Sequence, residues 1–335
     1  MLQSKEIIFK GYESNRNLPI NFKNEDEQYF KKDFIRCISD TALYNYTNVI
    51  VTVEGLVLNN LSVQQEFLIR SQINQYSSVS FYLKNIVNYG IKFLNKNEKY
   101  AIVTDNWSVG YFHFLCDTLP RLMALKSKVA GFTLLLPESC HSFHVELLKY
   151  FSIQKIEFYN NTQLLFCPNL YIPNVTKPTG NYNKELLLKV KQQFKLNTSQ
   201  SIGSQKNIYI SRKKAARRKL ADESEIEKIL VSYNFQIICT EDYSMDEKIE
   251  LFKNCNILIS IHGAGLTNML FMQEHSKVLE IRLPNDNHNL AYFTLASDLN
   301  LDYYYMFCEA SNNESTEYTI DMERFKKILN EITNT

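Results

Sequence analysis

From residue 207 to 307, short apolar runs alternate with segments whose apolar residues recur every three or four positions. The pattern predicts strands at 207–211, 235–239, 256–261, 277–282 and 302–307, and helices at 223–232, 244–253, 265–272 and 288–298. Such strict alternation is the mark of an α/β fold, a doubly wound parallel sheet with helices on its faces. Ile257–Ile261 and Val278–Ile281 are nearly all apolar, as expected of strands covered on both faces. Upstream, VIVTVEGLVL (49–58), Tyr100–Thr104, Phe132–Leu136, Lys155–Tyr159 and Asn169–Ile172 read as further strands, with helical spacing over Val109–Val129 and Ser139–Phe151.

Residues 1–48 are polar and weakly patterned, and read as a variable N-terminal extension, either a flap or a docking arm. The break Lys177-Pro178-Thr179-Gly180-Asn181, a helix over Lys184–Leu196 and the polar loop after it place a hinge near 175–200. After the polar stretch Ser311–Glu317, Tyr318–Ile332 has the spacing of an amphipathic helix able to pack back on the fold. The expected organisation is therefore an extension (1–48), an α/β domain (49–178), a second α/β domain (179–310), and a linker with a C-terminal helix (311–335).

The 335 residues suffice for two domains. Lys+Arg 37 against Asp+Glu 36 leaves a net charge of +1, so no global field draws the chain to nucleic acid or an anionic membrane, and any anion site must be local. No run approaches the length of a membrane span, and the N-terminus lacks a signal-peptide core, so the chain is expected to stay cytoplasmic. Seven cysteines without a C-x-x-C pair fit small buried apolar residues better than disulfides or a zinc site.

Three stretches carry candidate chemistry. His262-Gly263-Ala264-Gly265-Leu266-Thr267-Asn268 lies between an apolar strand and a helix start; two glycines and a helix N-terminus suit a phosphate, although the stretch lacks the third glycine of a Rossmann turn and the lysine of a Walker loop. A tight turn holding a packed histidine has the same sequence. Ser211–Lys219 holds six basic residues in nine, and Arg212, Arg217 and Arg218 leave the sheet edge that carries the glycine turn, where guanidinium groups can clamp a diphosphate; a solvated loop or an RNA patch is the alternative. His113 and Asp117, four apart on a helix, pair a base with an orienting carboxylate, or else form a buried pair bracing the Pro120 kink. No H-E-x-x-H, D-x-D or G-x-S-x-G occurs, and His141 and His144 read as surface residues, so metal sites and serine-hydrolase chemistry find no support.

In this order the motifs resemble glycosyltransferase family 61: His113-Phe114-Leu115-x-Asp117-x-Leu119-Pro120-Arg121-Leu122 its first block, Ser211-Arg212 through Arg217-Arg218 to Glu223-x-Glu225 its second, and His262 through Asn268 with Val278-x-Glu280 its third. The chain departs from the family pattern at Gly110, at Asp222-Glu223 and at Lys248. The resemblance implies a GT-B fold of two Rossmann-like domains facing across a cleft, acceptor on the first and donor on the second, and an inverting, metal-independent glycosyltransferase without cofactor. His113 or Asp117 would be the base, and Arg212, Arg217, Arg218 and the turn from His262 to Asn268 would hold the diphosphate. Glu280 would bond donor hydroxyls. The partners implied are a nucleotide-sugar donor and a glycan or lipid-linked glycan acceptor, not nucleic acid. An Asn/Lys/Ile-rich composition points by analogy to a bacterial surface polysaccharide made at the inner membrane leaflet, where the chain would associate peripherally. A GT-B-like sugar-nucleotide epimerase and an RNA-binding or scaffolding module using residues 206–219 are the rival functions.

Overall fold

The structure, a computed structural model, describes residues 1–52, 55–60, 62–64, 67, 89–140, 142–160, 162–174, 180–196, 205–215, 217–284, 286, 290–310 and 317–334. The chain is mixed α/β and forms two compact units, Met1–Glu13 with Cys37–Gln193, and Ser14–Arg36 with Phe194–Thr335. Much of the expected 175–200 hinge and most of the 311–317 linker lie outside the described residues, as does His141.

In the first unit, Lys155–Tyr159, Phe132–Pro137, Lys99–Ala101 and Gln163–Pro173 run parallel, side by side in that order. Thr41–Val51 pairs antiparallel with Gln163–Pro173, and Leu2–Phe9 and Val57–Asn59 pair antiparallel with Thr41–Val51. The sheet is thus mixed, where the family resemblance implied a Rossmann-like domain. The run 49–58 is two strands: Thr52 accepts from the Gly55 N–H, and Gly55 sits at φ 78°, where a side chain would be strained. Tyr44, Tyr46, Val49, Leu165, Leu170 and Ile172 pack in the core of this sheet.

The second unit holds a five-stranded, all-parallel sheet in the order Phe235–Ile238, Lys206–Ile210, Cys255–Ile261, Lys277–Arg282, Asp302–Phe307. In chain order that is 2-1-3-4-5, so the connections reverse direction between Lys206–Ile210 and Cys255–Ile261, and the crevice beyond their carboxyl ends is where such sheets bind ligands. Helix Glu223–Ser232 and the C-terminal helix Met322–Asn334 bury Ile226, Leu230, Phe325, Ile328, Leu329 and Ile332 in one core with Tyr209, Ile259 and Ile281. The C-terminal helix starts later than its periodicity suggested, because Glu317–Thr319 is a strand paired with Lys219–Leu220.

Residues 14–36 contribute to this second unit. Asp302–Phe307 is the sheet's last strand, and Ile20 donates its N–H to the Tyr303 carbonyl while the Asn21 side chain bonds both the N–H and the C=O of Tyr305. An exposed edge is thereby covered. Buried Arg16 pairs with buried Asp298, and Phe30 packs against Phe293 and Tyr305. The expected extension of 1–48 is built into strands and core on both sides of the division. All seven cysteines are free, five of them buried. No helix among the described residues is long and apolar enough to cross a membrane.

Candidate functional site

Strand Lys206–Ile210 ends where Arg212 begins the basic loop, and the neighbouring strand Cys255–Ile261 ends in the glycine turn. The two meet: a Cβ built on Gly263 would run into Arg212 Nη1 and lie 3.0 Å from its Cζ. Gly263 is extended (φ 165°), a conformation open to any residue, so its value here is the space it leaves for the guanidinium. Gly265 serves differently: a Cβ there would press on Ile210 Cγ2 at 3.1 Å, so this glycine lets the short helix Ala264–Phe271 lie close on the adjacent strand.

The Arg212 guanidinium donates to the carbonyls of Arg217 (Nη2, 3.0 Å) and Arg218 (Nε, 3.2 Å), and its backbone N–H donates to Glu223, which also accepts from Tyr209 Oη. Burial, with Arg218 nearby, lowers its pKa from the usual arginine value. Lys213 pairs with Glu227 and Lys214 with Asp242, so two of the six basic residues are neutralised and the run offers less to nucleic acid than its composition suggests. The Arg217 and Arg218 guanidinium groups have no hydrogen-bond or ion-pair partner among the described residues. Arg218 sits at φ 60°, a left-handed conformation uncommon for a long side chain.

Behind the turn lies a buried polar cluster. His262 Nδ1 bonds Glu280, whose other oxygen accepts from Tyr303 Oη; Glu280 is 0% exposed, and His262 Nε2 lies 3.8 Å from Asp286. Burial pushes the Glu280 carboxyl up, but His262, Arg282 and Tyr303 together outweigh it and hold it below the ordinary glutamate value. Each carboxylate oxygen thus takes a hydrogen bond from within the protein, and Glu280 orients His262 from behind the turn. Ala264 is exposed, whereas Leu266, Thr267 and Asn268 are buried; Asn268 Nδ2 bonds the Gly265 carbonyl, while Thr267 Oγ1 is buried without a hydrogen-bond partner among the described residues. These three shape the turn from within.

In the first unit the helix carrying the histidine runs from Tyr111 to Lys126 and widens to a π turn over Phe114–Thr118. Such turns often lie at functional sites, and here it directly precedes Pro120, which has no N–H to give an α turn. His113 Nδ1 lies 2.7 Å from Asp117 Oδ2. An ionised Asp117 can only accept, so a neutral His113 ring facing it carries its proton on Nδ1 and its lone pair on Nε2. The His113 side chain is 21% exposed and Asp117 12%, which leaves the imidazole as the accessible member. Burial raises the Asp117 pKa and Asp105 adds to this, while His113 and Arg121 oppose it.

Sequence reasoning missed the surroundings of this pair. Arg121 is buried, donates Nη2 to the Pro173 carbonyl at 2.9 Å, and faces Asp105 at 3.9 Å; its Nε and Nη1 have no hydrogen-bond partner among the described residues. Arg121 was visible as part of the first block, but only the fold shows that it lies among two carboxylates. His144, expected at the surface, is 2% exposed: Nε2 reaches the carbonyls of Ser108 and Val109, and the ring stacks on Phe143. A helix face turned inward hides it. Among the described residues no three His, Cys, Asp or Glu side chains converge as a metal site.

A profile of the family described as Glycosyltransferase 61 matches residues 111–279, half of the chain. This chain belongs to the glycosyltransferase 61 family. The match takes in His113, Asp117, the basic loop and the glycine turn, and ends one residue before Glu280. Among curated proteins, the chain is similar to protein O-linked-mannose beta-1,4-N-acetylglucosaminyltransferase 2 of Bos taurus, 29% identical over 131 residues. That alignment covers 36% of this chain and 22% of the bovine protein.

Proposed function

We propose that this chain is a glycosyltransferase that moves a sugar from a nucleotide-sugar donor to a hydroxyl of a glycan acceptor, with inversion and without a metal. The observation that carries the reading is the meeting of Arg212 with Gly263 at the crevice where the second unit's strand order reverses. A departing nucleoside diphosphate develops negative charge there, and the protein offers a guanidinium, two further arginines without internal partners, and the N–H groups that open helix Ala264–Phe271. Family membership supports sugar transfer as the chemistry that uses such a site.

In the resulting mechanism the second unit holds the donor and the first supplies the base, the division of labour of a GT-B enzyme. His113 Nε2 removes the proton of the acceptor hydroxyl while Asp117 holds the ring and stabilises the imidazolium that forms. The hydroxyl oxygen attacks the anomeric carbon as the bond to the diphosphate breaks, and one displacement inverts the configuration. Arg212, aided by Arg217 and Arg218, stabilises the leaving diphosphate. His262, fixed by Glu280, braces the turn that faces it. By analogy the product belongs to a bacterial surface glycan, capsular or O-antigen, made at the inner face of the cytoplasmic membrane.

Incubation with a panel of nucleotide sugars and glycoside acceptors, followed by NMR of the products, tests this directly. The expected result is a new glycoside of inverted anomeric configuration, formed equally well in EDTA. A donor that is epimerised or hydrolysed at full rate without an acceptor contradicts the transferase reading, and activity lost in EDTA but restored by Mn²⁺ or Mg²⁺ contradicts metal independence.

A further inference from the structure

Trp107 is the chain's only tryptophan, and it is 50% exposed. Its ring lies 5.2 Å from that of His113, centroid to centroid, tilted by 50°. The loop that presents it is tied down at several points. Asp105 Oδ1 accepts from the Trp107 backbone N–H, Ser108 Oγ accepts from the Asp105 backbone N–H and bonds Thr118 Oγ1 at 2.7 Å, and buried His144 holds the carbonyls of Ser108 and Val109. Gly110 permits the close approach, since a Cβ there would meet the Trp107 carbonyl at 3.3 Å and His113 Cδ2 at 3.5 Å. A rigidly mounted indole thus stands half in solvent beside the imidazole that keeps an available lone pair.

A pyranose has a face of C–H groups and a rim of hydroxyls. An indole face offers a broad apolar, electron-rich surface for the former without competing for the latter. We propose that Trp107 is the platform on which the acceptor's pyranose ring stacks, presenting a rim hydroxyl to His113 Nε2. The proposal rests on the transferase reading above. Trp107 lies four residues before residue 111, where the family match begins.

The single indole makes the test direct. Tryptophan emission of the full chain, excited at the red edge so that tyrosines stay silent, is titrated with the methyl glycosides of glucose, galactose, mannose, N-acetylglucosamine and xylose. Concentrations up to tens of millimolar cover the weak affinities of single sugars. A nucleotide-sugar thermal-shift screen is run on the same protein. At least one glycoside is expected to shift the emission and shield the ring from acrylamide. For that glycoside, Trp107→Ala should raise KM about tenfold or more with kcat at saturation little changed, and Trp107→Phe should restore most of the loss. Both variants should keep the wild-type response to nucleotide sugar. Emission unmoved by every glycoside in a protein that still responds to nucleotide sugar overturns the platform, as does an unchanged KM in Trp107→Ala. No response to any nucleotide sugar in the wild type removes the transferase reading and the platform with it.

Discussion

His113 and Asp117 were legible as a pair from their spacing, but not their order, because spacing carries no information about exposure. In the mechanism we propose, the difference in burial favours His113 as the base: the Asp117 carboxylate lies deeper and faces Nδ1, which leaves Nε2 for a substrate. His113→Ala should therefore lower kcat by about 10²–10⁴ while donor affinity stays at the wild-type value, as read by steady-state kinetics and donor titration. The two buried carboxyls also predict opposite pH behaviour. Asp117 is raised in the folded protein, so its contribution to stability is present below the ordinary aspartate value, about 3.9, and is lost as pH rises through the raised one. Glu280 is lowered, so its contribution is present above about 4.3 and is lost as pH falls through the lowered value. Denaturant melts at a series of pH values should show Asp117→Asn gaining on wild type as pH climbs above about 4, and Glu280→Gln gaining only as pH falls below it. Parallel behaviour of the two variants would contradict this assignment of environments.

At the scale of elements, the second unit was the more readable. Its central strands Cys255–Ile261 and Lys277–Arg282 are buried almost throughout and appear as apolar runs; Lys277–Arg282, Asp302–Phe307 and helix Glu223–Ser232 have the bounds that the pattern predicts. Thr41–Val51 escaped because Asn45, Thr47 and Asn48 interrupt its apolar positions, although its tyrosines carry much of the core. The glycine turn was recognised for close backbone approach, and the fold gives its two glycines separate tasks. Gly263→Val should displace Arg212 and weaken donor binding with little loss of stability. Gly265→Val should force the helix off Ile210 and cost about 1–3 kcal/mol of stability, the usual penalty of overpacking. Donor titration and chemical denaturation of both variants separate the effects, and identical profiles would mean the turn acts only as a structural bend.

At the scale of the whole molecule, the least legible feature was the course of residues 14–36, which return to a unit whose other residues begin at 194. Nothing periodic announces it, because the segment works through single anchors: Asn21 on a strand edge, Arg16 against Asp298, and Phe30 among aromatic rings. Arg16→Ala should cost the second unit about 3–5 kcal/mol, since it removes one partner of a buried ion pair. A melt with the wild-type midpoint would show that the segment merely lies on that unit.

Whether the switch-point edge of the second unit binds the diphosphate of a nucleotide sugar through Arg212, as we propose, is measured by a thermal-shift titration of wild type beside Arg212→Ala. A ligand of the native state alone stabilises by about 2.7 kcal/mol at a hundredfold excess over Kd. The account predicts a clear rise in Tm for wild type with at least one nucleotide sugar, and loss of that rise in Arg212→Ala, in proportion to about 3–4 kcal/mol of lost charge contact. An equal rise in both proteins, or no rise in either, would contradict it.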